Sequence, residues 1–107
     1  MNQTPVRIRA KARRDLEGHY RYLYDEVDAE TADKFLNATD LEFHKLAREP
    51  GLGPAVELDH ARLKRLRKWR VTGFPKFLIF YEPRAGGVSV VRVCHAAQDW
   101  WGLLEVV

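Results

Sequence analysis

The spacing of the hydrophobic residues changes at Pro50, and this change limits the folds open to the chain. Before Pro50, apolar residues recur every three or four positions, which is the period of an amphipathic helix. After Pro50 they alternate with polar residues or form short continuous runs, which is the pattern of β-strands. Helices in one half and strands in the other predict an α+β protein.

Two helices are predicted before Pro50, with a break near Asp28. Spacings of three and four place the apolar residues of each helix on one face. The first face carries Ala12, Leu16, Tyr20, Leu23 and Val27, and the second carries Ala32, Phe35, Thr39, Phe43 and Leu46. The first helix is expected to lack a capping side chain, because Ala10 and Lys11 stand where Ser or Thr would cap it. The second should end at Glu49, since proline follows, and the two should form an antiparallel hairpin.

Strands are predicted at residues 6–10, 67–71, 77–81 and 88–95, with turns at 73–75 and 82–87. Residues 77–81 are continuously apolar, which is typical of a central strand buried on both faces. A short helical turn is predicted at residues 99–104. The resulting order is β-α-α-β-β-β, an α+β fold in which a two-helix hairpin packs on a small, mostly antiparallel sheet.

Size and composition exclude several classes of protein. A chain of 107 residues, 46% of them hydrophobic and 31% charged, is expected to form one globular domain over residues 1–107. No run approaches the roughly 18 apolar residues of a membrane span, and the first five residues lack the apolar segment of a signal peptide. We therefore expect a cytoplasmic protein with no membrane partner. The single cysteine and the four histidines give no disulfide and no zinc spacing, so no metal or cofactor is expected.

Positive charge is concentrated in residues 60–81, although the net charge of the chain is only +3. This segment contains seven bases and no acid, namely Arg62, Lys64, Arg65, Arg67, Lys68, Arg70 and Lys76. We call it the basic segment. Such local density suits a phosphate backbone or an acidic protein partner. A solvated strand and loop without a partner is an equally plain interpretation.

Several short motifs in one order resemble the ParE/RelE toxin superfamily from about residue 6 to residue 104. They are Ala12 with Asp15 and Leu16 on the first helix, residues 50–53 (Pro-Gly-Leu-Gly), 66–71 (Leu-Arg-Lys-Trp-Arg-Val), 77–81 (Phe-Leu-Ile-Phe-Tyr) and 92–99 (Arg-Val-Cys-His-Ala-Ala-Gln-Asp). The last three are more similar to the ParE branch than to the RelE branch. The resemblance implies a toxin of a type II toxin–antitoxin system. ParE-like members inhibit DNA gyrase and block replication, whereas RelE-like members cut messenger RNA on the ribosome.

The RelE-like alternative would make the chain an endoribonuclease, which needs an acid or base and cations around the phosphate. Arg67 and Arg92 would supply the cations, and His95 would supply or accept the proton. Arg92 and His95 are three apart, so on a regular strand they face opposite sides of the sheet, which argues mildly against joint action. The ParE-like interpretation needs no catalytic residue. An inactive pseudo-toxin that still binds an antitoxin is a third possibility.

Structural roles compete with these functional ones. Arg92 is expected to pair with Asp99 or Glu82 if it is not a phosphate ligand, and His95 to hydrogen-bond Asp99 and fix the C-terminal segment. Trp69 is expected in the core. Trp100 and Trp101 are adjacent and cannot both point inward, so at least one should be exposed.

A cognate antitoxin is the partner that the resemblance implies, with its C-terminal segment wrapped over the groove between hairpin and sheet. DNA gyrase is the expected target, and the ribosome with its messenger RNA is the alternative. The residues predicted to bind antitoxin or target are Arg62, Lys64, Arg67, Lys68, Arg70, Arg92, Asp99, Trp100 and Trp101.

Overall fold

The computed structural model describes residues 5–57, 63–98, 102 and 104. Its elements are β1 (Val6–Ile8), α1 (Ala10–Glu26), α2 (Ala29–Arg48), β2 (Arg67–Val71), β3 (Phe74–Arg84) and β4 (Gly87–His95). The predicted order β-α-α-β-β-β and the α+β class are confirmed. Among the described helices, none is long and apolar enough to span a bilayer.

The four strands form one sheet in the order β1-β4-β3-β2. β2, β3 and β4 pair antiparallel, and β1 lies parallel to β4, with Val6 opposite Val88 and Ile8 opposite Val90. The sheet is therefore mostly antiparallel, as predicted. β1 pairs with β4 only as far as Val90, and among the described residues no strand follows it on that side of β4. α1 occupies this position.

The helical faces lie largely where the sequence pattern places them. All five predicted residues of α2 are buried, from Ala32 to Leu46. On α1, Ala12 and Leu23 are buried, but Val27 is 58% exposed, so its predicted place on the buried face is wrong. The reason is that α1 ends at Glu26, and the backbone of Val27 no longer follows the helical rotation.

The helix ends differ in how they are capped. No side chain caps α1, as predicted, and its N-cap residue is Arg9. At the start of α2, Asp28 accepts a hydrogen bond from the Thr31 N–H at 2.7 Å. Hydrogen bonding by Thr31 lowers the pKa of the Asp28 carboxyl.

Two apolar clusters cover the two faces of the sheet. One lies between the helical hairpin and the sheet, and its largest members include Phe35, Phe43 and Tyr81. The other lies on the opposite face, where the segment before β2 and Leu104 pack over Phe80 and Leu78. β3 is thus buried on both faces between residues 77 and 81, as its continuous apolar run predicts.

The hairpin turns are shorter than predicted. The turn after β2 consists of Thr72 and Gly73, and β3 begins at Phe74, so the predicted turn at 73–75 includes two strand residues. Gly73 has a φ of 84°, a conformation that glycine adopts without steric cost. β3 likewise continues to Arg84, beyond the predicted end at residue 81.

The pairing between β3 and β4 shifts by one residue just before Arg92. Tyr81 of β3 pairs with Val90 and Phe80 pairs with Arg92, which leaves Val91 as an extra residue on β4. This is a β-bulge, and it lies next to the last β1–β4 pair, Ile8 with Val90. The bulge thus lies where β4 loses its strand neighbour and meets α1.

Candidate functional site

Arg92 is held by a carboxylate of the first helix. Its Nε donates to Asp15 Oδ2 at 2.7 Å and its Nη2 to Asp15 Oδ1 at 2.8 Å, a two-point contact between side chains that are only 10% and 14% exposed. The hydrogen bond and charge of Asp15 raise the pKa of Arg92. The predicted pairing of Arg92 with Glu82 is wrong, because Glu82 instead accepts from Arg9 Nη2 at 2.9 Å.

Asp15 and His19 together satisfy the unpaired edge of β4. The Val93 N–H donates to Asp15 Oδ2 at 2.9 Å, and the Val93 carbonyl lies 2.8 Å from His19 Nε2. Both backbone groups of one strand residue point to the same side, and residues four apart on a helix lie one above the other. One turn of α1 therefore replaces the missing strand.

His19 hydrogen-bonds the edge of β4 through one ring nitrogen. Its Nε2 faces a carbonyl oxygen, so Nε2 carries the proton and donates. Its ring meets Phe77 edge-on with centroids 4.9 Å apart. Burial lowers the pKa of His19, and this effect outweighs the hydrogen bond to Val93 and the charge of Asp15, which favour the protonated ring.

Arg67, the second predicted cation of a nuclease site, binds the loop that follows α2. Its Nη1 donates to the Gly53 carbonyl at 2.6 Å and lies 3.3 Å from the Gly51 carbonyl. The Tyr81 hydroxyl completes this contact, accepting from the Gly53 N–H at 2.9 Å and donating to the Pro50 carbonyl at 2.8 Å. A Cβ at Gly53 would lie 2.3 Å from the Lys68 carbonyl oxygen, so the loop requires glycine there.

His95 closes the turn that follows β4. Its ring Nδ1 accepts from the Ala97 N–H at 3.0 Å, and its backbone N–H donates to Gln98 Oε1 at 2.7 Å. His95 pairs with Phe77 in the sheet and Arg92 pairs with Phe80, so the two lie on opposite faces as predicted. His95 therefore fixes the turn after β4 through Ala97 and Gln98. Asp99, the partner named from sequence, lies outside the described residues.

The three residues predicted for a nuclease site, Arg67, Arg92 and His95, all have structural partners. Arg92 is neutralised by Asp15, Arg67 is bound to backbone carbonyls, and His95 faces the opposite side of the sheet from Arg92. Burial raises the pKa of the Cys94 thiol to about 12, so no thiolate is present at neutral pH. Within residues 5–57 and 63–98, no three His, Cys, Asp or Glu side chains are grouped to hold a metal ion.

Trp69 is anchored beneath the helical hairpin. Its indole Nε1 donates to Glu42 Oε1 at 2.8 Å, and Lys45 Nζ lies 5.6 Å from its ring centroid. The ring is half-buried and packs against the apolar cluster under the helices, in keeping with the expected core position. Burial opposes the charged form of Glu42, but hydrogen bonds from Thr72 and Trp69 together outweigh it and lower the pKa.

The basic segment divides into bound and exposed cations. Arg67 and Lys68 are half-buried, while Lys64, Arg65, Arg70 and Lys76 are exposed. Four predicted binding residues, Arg62, Asp99, Trp100 and Trp101, lie outside the described residues, as do most of the residues of the helical turn predicted at 99–104.

Two clefts lie on the described surface. The first, of about 520 Å³, lies between the helices and is lined by Leu16, Tyr20, Tyr24 and Leu36. The second, of about 940 Å³, lies beside β2. It is lined by Lys68, Arg70, Leu78 and Ala96, together with Pro54 and Pro75. We call the second the β2 cleft.

The sequence did not show that Asp15, His19 and Glu42 would hydrogen-bond the sheet. Asp15 entered only as part of a family motif, and its separation of 77 positions from Arg92 gives no local signal. The one available sign was that Asp15 and His19 are four apart on the first helix, which places them on one face.

Similar proteins identify the fold and the family of this chain. A solved structure described as the chromosomal ParDE TA system from P. aeruginosa superposes with a TM-score of 0.68, at 14% identity, covering 84% of this chain and 92% of that chain. The family model described as the ParE toxin of the type II toxin–antitoxin system parDE matches residues 6–100. The chain therefore belongs to the ParE toxin family, which implies an antitoxin partner. A comparison with curated proteins gives no match.

Proposed function

We propose that this ParE-type toxin acts in the cytoplasm as one domain, inhibits DNA gyrase through protein contact, and is neutralised by its antitoxin. Family membership over residues 6–100 supports the toxin class. The observation that carries the choice of target is the Arg92–Asp15 ion pair, buried and doubly hydrogen-bonded. A cation that binds a carboxylate in this way does not stabilise the charge of a cleaved phosphate unless the pair breaks, and breaking it costs several kcal/mol.

The remaining described surface suits protein binding more than catalysis. Lys64, Arg65, Arg70 and Lys76 are exposed, and Arg70 lines the β2 cleft, which also has apolar walls. Cations arranged in this way favour association with an acidic partner. Catalysis of RNA cleavage instead needs cations fixed around one phosphate.

Induced expression in bacteria tests the target. We expect filamentation and induction of the DNA-damage response, and inhibition of gyrase supercoiling by the purified toxin, with messenger RNA intact. Rapid arrest of translation with cut messages would instead establish the ribosome-dependent endonuclease. A chain that binds antitoxin but has no effect on growth would be a pseudo-toxin and would contradict the proposal.

His95→Ala separates the two mechanisms further. If the toxin acts by protein contact, the variant keeps its toxicity in proportion to the folded protein present. His44→Ala is a matched control, because His44 lies exposed on α2, with its Nε2 3.6 Å from Asp40 Oδ1. Loss of toxicity in His95→Ala, with folding and antitoxin binding retained, would show that the histidine does chemistry.

A further inference from the structure

The exposed face of α1 carries a row of residues whose side chains make no contact of their own. Arg14, Gly18 and Tyr22 follow one another at spacings of four, and Glu17 and Arg21 lie beside them. All five are exposed, and Tyr22 has 58% of its surface open to solvent. Among the residues that the structure describes, none of the four side chains forms a hydrogen bond, an ion pair or a ring contact. We call these five residues the α1 stripe.

The glycine at the centre of the α1 stripe is not required by the fold of the chain. A Cβ at Gly18 would meet no atom within 4 Å, and Gly18 lies inside α1 without a positive φ. Glycine in the interior of a helix is destabilising relative to alanine. What glycine does provide is room for another backbone to approach closely, because it has no side chain.

The spacing of the α1 stripe fits a crossing with a second α1 helix. Residues four apart form a ridge on a helix surface, and interdigitated ridges of this kind give the commonest helix crossing, at about 50°. If two α1 helices cross antiparallel at Gly18, a two-fold axis relates them. The residue four before Gly18 in one copy then lies against the residue four after it in the other. Arg14 thus meets Tyr22 of the second copy, a cation facing an aromatic ring.

The charges beside the crossing are complementary under the same symmetry. Glu17 and Arg21 are one turn apart and have opposite signs. When the second helix runs in the opposite direction, Glu17 of one copy lies beside Arg21 of the other, so two ion pairs flank Gly18. Glycine meets glycine, cation meets aromatic ring and acid meets base. An unrelated partner does not require this self-complementarity, so the charges favour a second copy of the chain.

The α1 stripe is separate from the basic segment. α1 lies at the edge of β4, which it contacts through Asp15 and His19, whereas β2 forms the opposite end of the sheet. A second copy on the α1 stripe therefore uses neither β2 nor the β2 cleft.

We propose that two copies of the toxin associate through the α1 stripe, in an antiparallel two-fold crossing centred on Gly18. One helix from each copy makes a small interface, so the dimer is weak, with a Kd on the order of 100 µM. This inference goes beyond the proposed function and depends neither on the target of the toxin nor on the antitoxin.

Gly18→Leu tests the crossing point. Sedimentation of the full-length toxin from about 10 µM to about 1 mM measures its self-association on both sides of the expected Kd. The leucine side chain should keep the two helices apart and weaken association about tenfold or more. The same change should raise Tm by about 4 °C, because leucine favours the helix and has open space around it. Weaker association in a more stable protein separates loss of the contact from loss of the fold.

Glu17→Arg and Arg21→Glu test which charges meet across the interface. Each variant alone places like charges opposite each other in two pairs and should weaken association about tenfold at low salt. An equal mixture of the two variants restores opposite charges in both pairs, and it should associate within about twofold of wild type. Leu41→Ser is the control, because Leu41 is 69% exposed on α2 and lies outside the α1 stripe. It should leave association unchanged.

Several results would overturn the inference. A toxin that stays monomeric at about 1 mM does not form the dimer. Wild-type association in Gly18→Leu, or a mixture of the charge variants that associates no better than either alone, would place the contact elsewhere. Loss of association in Leu41→Ser would indicate non-specific contact between apolar side chains. If the toxin does not inhibit gyrase but associates as expected, the proposed target fails and the inference stands.

Discussion

Asp15 accepts three hydrogen bonds, so Asp15→Asn is expected to be strongly destabilising. Two come from Arg92 at 2.7 and 2.8 Å, and one comes from the Val93 N–H at 2.9 Å. Asparagine has the same shape but no charge, and its amide nitrogen must face a donor. Removing one partner of a buried ion pair costs about 3 to 5 kcal/mol. With side chains that are 10% and 14% exposed, we expect the lower end, about 3 kcal/mol.

Thermal and chemical unfolding measure this loss. For 107 residues the unfolding entropy is about 0.22 kcal/mol/K, so about 3 kcal/mol lowers Tm by roughly 13 °C. In denaturant the midpoint should fall while the slope m stays constant. A fall of this size is a large part of the roughly 5 to 15 kcal/mol that stabilises a typical domain.

A double-mutant cycle attributes the loss to the pair. Arg92→Met removes the cation and keeps an unbranched side chain, and the double variant Asp15→Asn/Arg92→Met should lose less than the sum of the single losses by about 1 to 3 kcal/mol. Strict additivity, or a loss below about 1 kcal/mol in Asp15→Asn, would refute the assignment of Arg92 to a structural pair. Arg92 would then be available for another role, and the argument against nuclease chemistry would weaken.

Two further predictions concern His19 and Tyr81. Burial holds the pKa of His19 below its usual value of 6.5, so the unfolded chain binds the proton more readily. Stability should therefore be full above about pH 6.5 and fall as the pH drops toward the lowered pKa; His19→Gln, which keeps a donor for the Val93 carbonyl, should remove this part of the slope in pH-dependent unfolding. Tyr81→Phe leaves the Gly53 N–H without its acceptor and should cost about 1 to 3 kcal/mol in denaturant unfolding.

Each of these predictions has a contrary result. An unchanged pH slope in His19→Gln would mean that carboxylates alone set the acid sensitivity of the fold. His44→Gln serves as the control, because it replaces a histidine at an exposed position of α2 in the same way. A Tyr81→Phe protein as stable as wild type would mean that water replaces the hydroxyl in the loop.

The helices and the element order followed from sequence because the information is local. The apolar face of α2 repeats through five residues from Ala32 to Leu46, and all five are buried. β3 was found from its continuous apolar run for the same reason. Boundaries were less accurate, and Val27 and Phe74 were misplaced because the pattern of apolar residues does not define where a helix ends or a turn closes.

The site was less predictable because its contacts join distant parts of the chain. Glu82 was a natural candidate to pair with Arg92 because it is close in sequence, but among the described residues the partner is Asp15. Asp99, the other candidate, lies outside the described residues. The contact with Asp15 depends on β1 ending its pairing with β4 at Val90, which brings α1 to the edge. Neither the spacing of apolar residues nor the composition shows where β1 stops pairing or that α1 lies at this edge.

The helical hairpin uses its carboxylates to occupy the edges of the sheet, and this decides which cations remain for binding. Asp15 of α1 takes the Val93 N–H at one edge, and Glu42 of α2 takes the Thr72 N–H at the other. Both acids also hold a neighbouring side chain, Arg92 or Trp69. Between Pro54 and Thr72, near the exposed cations of the basic segment, neither helix supplies a carboxylate to the backbone edge. The carboxylates of the hairpin thus leave Lys64, Arg65, Arg70 and Lys76 exposed, whereas Arg92 is held in a buried ion pair.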